Sequence, residues 1–112
     1  MPLRRLRESL TKGNLWLYIF ALLRERPRYP YKIADLIEER FGWKPARVTT
    51  YIVLKRLQAE GYVRVAVRVN ERGRTRHYYV LTEKGEELFE EARRLMREVY
   101  SSLFGGEIDA PE

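Results

Sequence analysis

The run Val63 to Thr82 (VRVAVRVNERGRTRHYYVLT) alternates aliphatic and basic residues, breaks at a glycine-bearing tip and returns as a second alternating stretch that ends at a helix start. Period-two alternation over this length demands strands with two chemically different faces, and Asn70-Glu71-Arg72-Gly73-Arg74 supplies the hairpin loop between them. One face is expected to be aliphatic. Arg64, Arg68, Arg72, Arg74 and Arg76 stand against a single acid, Glu71. Such a charge excess has no place in a core, and a finger that carries it is suited to lie against phosphates.

The chain is 112 residues long, enough for one domain with one core and an appended helix. With 45% hydrophobic and 34% charged residues, it is too apolar for intrinsic disorder and richer in charge than an average globular domain. Cysteine is absent, which excludes disulfides and thiolate metal sites and gives no sign of secretion. The only uninterrupted apolar run, Leu15 to Leu23, is far short of a membrane span and lacks a signal-cleavage pattern. A cytoplasmic location without membrane contact is the expectation.

The net charge of +6 is segregated: residues 1–81 carry 18 Lys and Arg against 7 Asp and Glu, whereas residues 82–112 carry 4 against 9. A basic body with an acidic final segment implies that only the first part faces a polyanion. A thermophile-like surface laced with ion pairs would also raise the charge content, but it predicts mixed signs throughout.

Residues 1–10 hold Arg4, Arg5 and Arg7 without a sustained apolar pattern, which predicts a basic N-terminal arm, either mobile or a short helix packed elsewhere. Thr11 to Asn14 offer caps for a first helix, LWLYIFALLRER, stopped by Pro27. It is apolar on every side, so a partner surface is expected to cover part of it, through Leu15, Trp16 and Ile19. Pro30 suits the first position of a second helix, with Ile33 and Ile37 inward, joined by Leu36 and Phe41, and Gly42 at its end. Pro45 opens a third helix that stops at Gly61; Tyr51, Leu54 and Leu57, with Val48 or Ile52, form its apolar stripe. Its opposite face shows Arg47, Thr49, Thr50, Val53 and Arg56. Three helices followed by a hairpin is the order of a winged helix, with the helix-turn-helix joined through Gly42-Trp43-Lys44. The expected fold class is therefore α+β and mostly helical: a winged helix-turn-helix over residues 11–82, with a long helix over 83–104.

Thr82 is placed to cap that last helix, whose first turns hold Glu83, Glu86 and Glu87, as the helix dipole prefers. Leu88, Ala92, Leu95 and Val99 recur at helical spacing, and Phe89, Met96 and Leu103 repeat every seven. A seam of that kind at the end of a small chain is expected to pair with a second copy, giving a homodimer. Residues 105–112 read as a flexible acidic tail.

These placements predict that the third helix enters the major groove of double-stranded DNA. Arg47, Thr49 and Thr50 would lie nearest the bases, while Tyr51 and Lys55 hold phosphate; Lys44 belongs to the same set of expected DNA contacts. The wing, through Arg64, Arg68, Arg72, Arg74 and Arg76, would position the protein rather than read sequence. Tyr51 is expected first as core and only second as a phosphate contact. His77 is expected to be structural, with no neighbour to complete a metal site. Trp16 and Trp43 are expected to pack; Trp16 is also the candidate for stacking on a small aromatic effector at the dimer interface. No Gly-rich phosphate loop or nucleophile–base set is present, so neither an enzyme nor a cofactor is implied. An architectural DNA binder with little sequence preference, or a protein-interaction winged helix, are the competing readings.

Gly73-Arg74-Thr75-Arg76-His77-Tyr78-Tyr79-Val80-Leu81-Thr82-Glu83-Lys84-Gly85 resembles the wing and following helix cap of PadR-like transcriptional regulators. Gly13-Asn14-Leu15, Tyr31-Lys32-Ile33 and Thr49-x-Tyr51-x-x-Leu54-Lys55-Arg56-Leu57-x-x-x-Gly61 match in order and spacing, so the resemblance covers nearly the whole chain. It departs at Pro30, where the family usually has Gly, and at Ala46, Val48 and Ile52, where the family favours small residues and a Pro. The resemblance implies a homodimer with crossing C-terminal helices that binds a roughly palindromic operator and usually represses.

Overall fold

The computed structural model describes residues 1–106. Its helices are α1 (Pro2–Leu10), α2 (Leu15–Glu25), α3 (Pro30–Phe41), α4 (Arg47–Ala59) and α5 (Glu83–Phe104), with strands β1 (Val63–Glu71) and β2 (Arg74–Leu81) between α4 and α5. A 3₁₀ turn, Lys12–Asn14, joins α1 to α2. The first, second and third helices expected from sequence are thus α2, α3 and α4. Of the expected tail, only Gly105 and Gly106 fall within the described residues.

Helix α2 is the axis of the core. Leu15, Ile19, Phe20, Leu22 and Leu23 are buried on it, and they meet Ile33, Ala34 and Ile37 of α3, Leu54 and Leu57 of α4, and Val63 and Tyr79 of the hairpin. Helix α5 closes the remaining side, where Phe89 stands edge-on to Phe20 at 5.9 Å between ring centres. The expectation that α2 needs a partner subunit is corrected here. Four elements of the same chain cover it, so Leu15 and Ile19, at 5% and 0% exposure, are core residues and not an interface. Trp16 remains half-buried, edge-on to Phe20 at 5.2 Å, and its indole N–H donates to Asn14 Oδ1 at 3.3 Å.

The stripe of α4 is rotated from the one expected. Thr50, Leu54 and Leu57 are buried, with Val53 partly so, while Val48, Tyr51 and Ile52 are exposed. Thr50, at 1% exposure, satisfies its hydroxyl by donating to Ala46 O at 2.9 Å, which lets a polar side chain sit on the apolar face. Helical spacing fits both stripes about equally. Packing against α2 and α3 selects the smaller residue for the close approach and expels the tyrosine.

The strands pair antiparallel, Val63 with Leu81 through Glu71 with Arg74, but the register shifts between Val65 and Val67. Ala66 is the extra residue of a β-bulge, and it exchanges the faces of the hairpin midway. Val63 and Val65 lie with Tyr79 and Leu81 on the core face; beyond the bulge that face carries Arg68 and His77, and Val67 and Val69 turn to the other. The single aliphatic face expected from alternation is therefore corrected to two half-faces. Arg28 extends the sheet on the free side of β2, with Arg28 N–H to Tyr79 O at 3.1 Å and Tyr79 N–H to Arg28 O at 2.7 Å.

Helix α1 buries nothing. Side chains from the following turn and from α2 satisfy its last carbonyls: Thr11 Oγ1 donates to Arg7 O at 2.8 Å, Asn14 Nδ2 to Ser9 O at 2.7 Å, and Tyr18 OH to Leu10 O at 2.6 Å. Of the two forms expected for the N-terminal segment, the structure has the short helix. On α5, Thr82 caps as expected, its Oγ1 accepting from Gly85 N–H at 3.1 Å. The seam divides along its length: Leu88, Phe89 and Ala92 are half-buried against the chain itself, whereas Leu95, Met96, Val99 and Leu103 are exposed. No helix among the described residues is long and apolar enough to cross a membrane.

Candidate nucleic-acid interface

An open groove of about 730 Å³ runs between the start of α3, the middle of α4 and strand β2. Tyr29, Tyr31 and Lys32 form one wall, Tyr51 and Lys55 the floor, and Arg74, Thr75, Arg76, His77 and Tyr79 the other wall. A recess of about 420 Å³ continues it toward Arg47 and Val48, sharing Tyr31 and Tyr51. Four of the residues expected to touch DNA, Tyr51, Lys55, Arg74 and Arg76, thus converge from elements far apart in sequence.

Each is held by identifiable contacts. Lys55 Nζ lies 3.4 Å from Tyr79 OH and 5.9 Å from the Tyr51 ring centre, and Tyr79 OH donates to Gln58 Oε1 at 3.3 Å. Arg76 pairs with Glu71 at 3.0 Å, and its guanidinium lies 4.8 Å over Tyr29, which is edge-on to Tyr78 at 5.4 Å. Arg76 is therefore partly neutralised in the middle of the wing, while Arg68 beside it and Arg72 and Arg74 at the tip stand exposed. The two-residue turn at that tip has φ of 49° at Arg72 and 76° at Gly73. Glycine adopts this conformation freely, whereas an L-arginine in it costs roughly 1–2 kcal/mol. Asn is the usual first residue of such a turn, so this chain keeps a guanidinium at the tip in spite of the strain.

At the other end of the interface two expected DNA contacts, Lys44 and Arg47, are paired with an acid. Asp35 of α3 lies 3.1 Å from Lys44 Nζ and 3.0 Å from Arg47 Nη2, and Arg47 stacks over Tyr31 at 4.8 Å. The Lys44 and Arg47 cations hold the Asp35 carboxyl below its usual range, and the carboxylate in turn raises the Arg47 pKa. Both helices of the helix-turn-helix begin without a side-chain cap, at Tyr29 and Ala46. Their first N–H groups and positive dipole ends are thus available to an anion.

Two expected DNA contacts are not part of this surface. Thr50 is buried on the core face of α4 and cannot approach a base. Arg64 pairs with Val80, on the face of the hairpin opposite Val63, Val65 and Tyr79; strand alternation before the bulge points it away from α4. His77, expected as structural, is exposed and lines the groove. Tyr51, expected first as core, is 51% exposed and lies on the groove floor. Trp43 packs as expected, edge-on to Tyr18 at 5.1 Å. Tyr29, Tyr31, Lys32 and Asp35 have no expected place in the interface from sequence; the Tyr31-Lys32-Ile33 match is the available signal for two of them, and Asp35 has none.

A helix-turn-helix followed by a hairpin that extends one cationic face defines the class as a winged helix-turn-helix protein. The profile of the transcriptional regulator PadR-like family matches residues 19–91, and the chain belongs to that family of transcriptional regulators; it is not an enzyme. Among solved structures it is similar to a PadR-like transcription factor from Bacteroides fragilis, at 27% identity over 88% of this chain and 95% of that one, with a TM-score of 0.74. A PadR-family regulator from Eggerthella lenta shares the fold at 22% identity, covering 90% and 88%, with a TM-score of 0.77. PadR of Bacillus subtilis, solved in complex with operator DNA, shares it at 20% identity, covering 80% and 58%, with a TM-score of 0.64. Among curated proteins none matches.

Proposed function

We propose that this chain binds double-stranded DNA sequence-specifically, acting as a homodimeric repressor on a palindromic operator. The observation that carries this is the convergence of α4, the α3 start and the wing on one groove with Lys32, Lys55, Arg74 and Arg76 along it. Helix α4 enters the major groove with Arg47, Val48, Thr49, Tyr51 and Ile52 outward, and the wing follows the backbone through Arg68, Arg72 and Arg74. Val48 and Ile52, both exposed, suit thymine methyl groups. The Bacillus subtilis relative in complex with operator DNA supports the same use of the fold.

Dimerisation is supported by the exposed row Leu95, Met96, Val99 and Leu103, the last at 70% exposure; apolar side chains in sequence along a helix gain most by pairing. An aromatic effector between subunits would meet Trp16, and a titration that leaves Trp fluorescence unchanged would remove that role.

Selection of bound duplexes from a random pool tests the reading. The expected product is a site with two half-sites about one helical turn, or a multiple of it, apart. Enrichment of no sequence would favour an architectural binder, and no retention of any duplex at low salt would favour a protein-interaction module.

A further inference from the structure

Asp35 belongs to α3, yet its carboxylate serves the opening of α4. Oδ1 lies 3.1 Å from Lys44 Nζ, and both oxygens accept from Arg47 Nη2, at 3.1 and 3.0 Å. The Tyr31 ring supports the same guanidinium from its face, 4.8 Å away. Lys44 first and Arg47 second hold the carboxyl below its usual range, so the group carries its charge near neutral pH.

A carboxylate on a surface that meets phosphate weakens binding to every DNA sequence alike. It also occupies two cations that would otherwise reach the backbone. In return it fixes geometry: a guanidinium pinned by a carboxylate on one nitrogen and an aromatic ring on its face has lost most of its rotamer freedom before DNA arrives. The Asp35 bonds engage Nη2; among the described residues Nη1 of Arg47 has no such acceptor, and its N–H can donate a single hydrogen bond to a guanine edge.

We infer that Asp35 is a positioning residue for sequence discrimination: it holds Arg47 in the orientation that reads a base and withholds Arg47 and Lys44 from phosphate. The inference rests on the proposed entry of α4 into the major groove. Asp35 touches no DNA itself and acts through its neighbours.

The test measures affinity by fluorescence anisotropy, over a salt series, for a duplex retained by selection and for a scrambled duplex of equal length. The wild type is compared with Asp35→Asn, Arg47→Ala and the double variant. Asp35→Asn is expected to bind the scrambled duplex more tightly, with a log–log salt slope steeper by up to about two units, one per released cation. The ratio of selected to scrambled affinity is expected to fall about tenfold, the scale of one lost arginine–guanine contact. Because Asp35 acts through Arg47, the double variant is expected to discriminate no worse than Arg47→Ala alone.

Equal changes in both affinities, or losses that add in the double variant, would overturn the inference while leaving the functional reading intact. A wild type that prefers no sequence would overturn the functional reading and the inference with it. An unfolded variant loses both affinities, whereas the expected result gains one. Asp35→Glu provides the independent check: with the charge kept on a longer arm, the wild-type salt slope is expected to survive and discrimination to fall. A full wild-type ratio in that variant would refute positioning.

Discussion

Gly85 lies in the first turn of α5, where helix propensity alone predicts that alanine would stabilise the chain by about 1 kcal/mol. The structure predicts the opposite sign. A Cβ on Gly85 would sit 2.2 Å from Tyr62 O and 3.1 Å from Leu81 Cδ2, so the helix must withdraw by roughly 1 Å to reach ordinary carbon–oxygen contact. Tyr62 cannot yield, because its carbonyl accepts from Thr82 N–H at 3.0 Å. Next to it, Thr82 Oγ1 donates to Gly61 O and Lys84 Nζ to Glu60 O, both at 2.6 Å. Withdrawal stretches these three bonds, each worth about 1 kcal/mol net. Subtracting the propensity gain leaves a loss of about 2 kcal/mol, or a fall in Tm of roughly 8 °C for a chain of this size. Thermal unfolding of Gly85→Ala at the same protein concentration as the wild type, which removes any shift from altered association, reads it directly. An unchanged or higher Tm would refute the claim that the Leu81-Thr82-x-x-Gly85 motif exists to seat α5 on the α4–β1 corner.

Replacing Arg72 and Arg74 with Ala should reduce the salt slope of DNA binding by roughly one unit per lost phosphate contact; an unchanged slope would take the wing out of the interface. Thr50→Val should cost no more than about 1 kcal/mol for the lost bond to Ala46 O and leave the preferred DNA sequence unaltered, whereas relaxed discrimination would show that Thr50 does reach a base. Val99→Glu, which puts a carboxylate into the exposed row of α5, should shift sedimentation from dimer to monomer, and an unaltered dimer would exclude that row as the subunit contact. Glu25 is held below the usual carboxylate range chiefly by its hydrogen bonds from Arg40, and Asp35 likewise by Lys44 and Arg47. Depressed folded values mean that these carboxylates contribute stability above the ordinary carboxylate range and lose it as pH falls through their lowered values, below about pH 4. Urea midpoints for Glu25→Gln/Asp35→Asn should therefore approach those of the wild type on acidification; a gap that widens would reverse the sign.

Local physics made much of this chain legible from sequence. Pro30, Gly42, Pro45 and Gly61 bound the helices because their backbone preferences act within one or two residues, and Thr82 caps α5 through a bond to a residue three positions on. The hairpin and its cationic tip were visible for the same reason, although the loop read as Asn70 to Arg74 closes to the two residues Arg72 and Gly73. What depended on choosing between equivalent faces was not. The spacing of α4 admitted Tyr51 or Thr50 inward, and only the close approach of α2 and α3 decided for the threonine. The alternation of β1 held no sign that Ala66 would bulge and exchange its faces, because a bulge is fixed by what the partner strand and the core must bury. The pairing of Lys44 and Arg47 with Asp35, and of Arg76 with Glu71 over Tyr29, likewise joined groups whose meeting depends on how elements cross. The sequence by itself determined the order of elements, the sign and place of the charge, and the family; the tertiary structure alone decided which cations are bound, which residues face DNA and which apolar surface is left over. Charge and turn preference are properties of single residues and short segments, whereas burial is a property of the whole packed core.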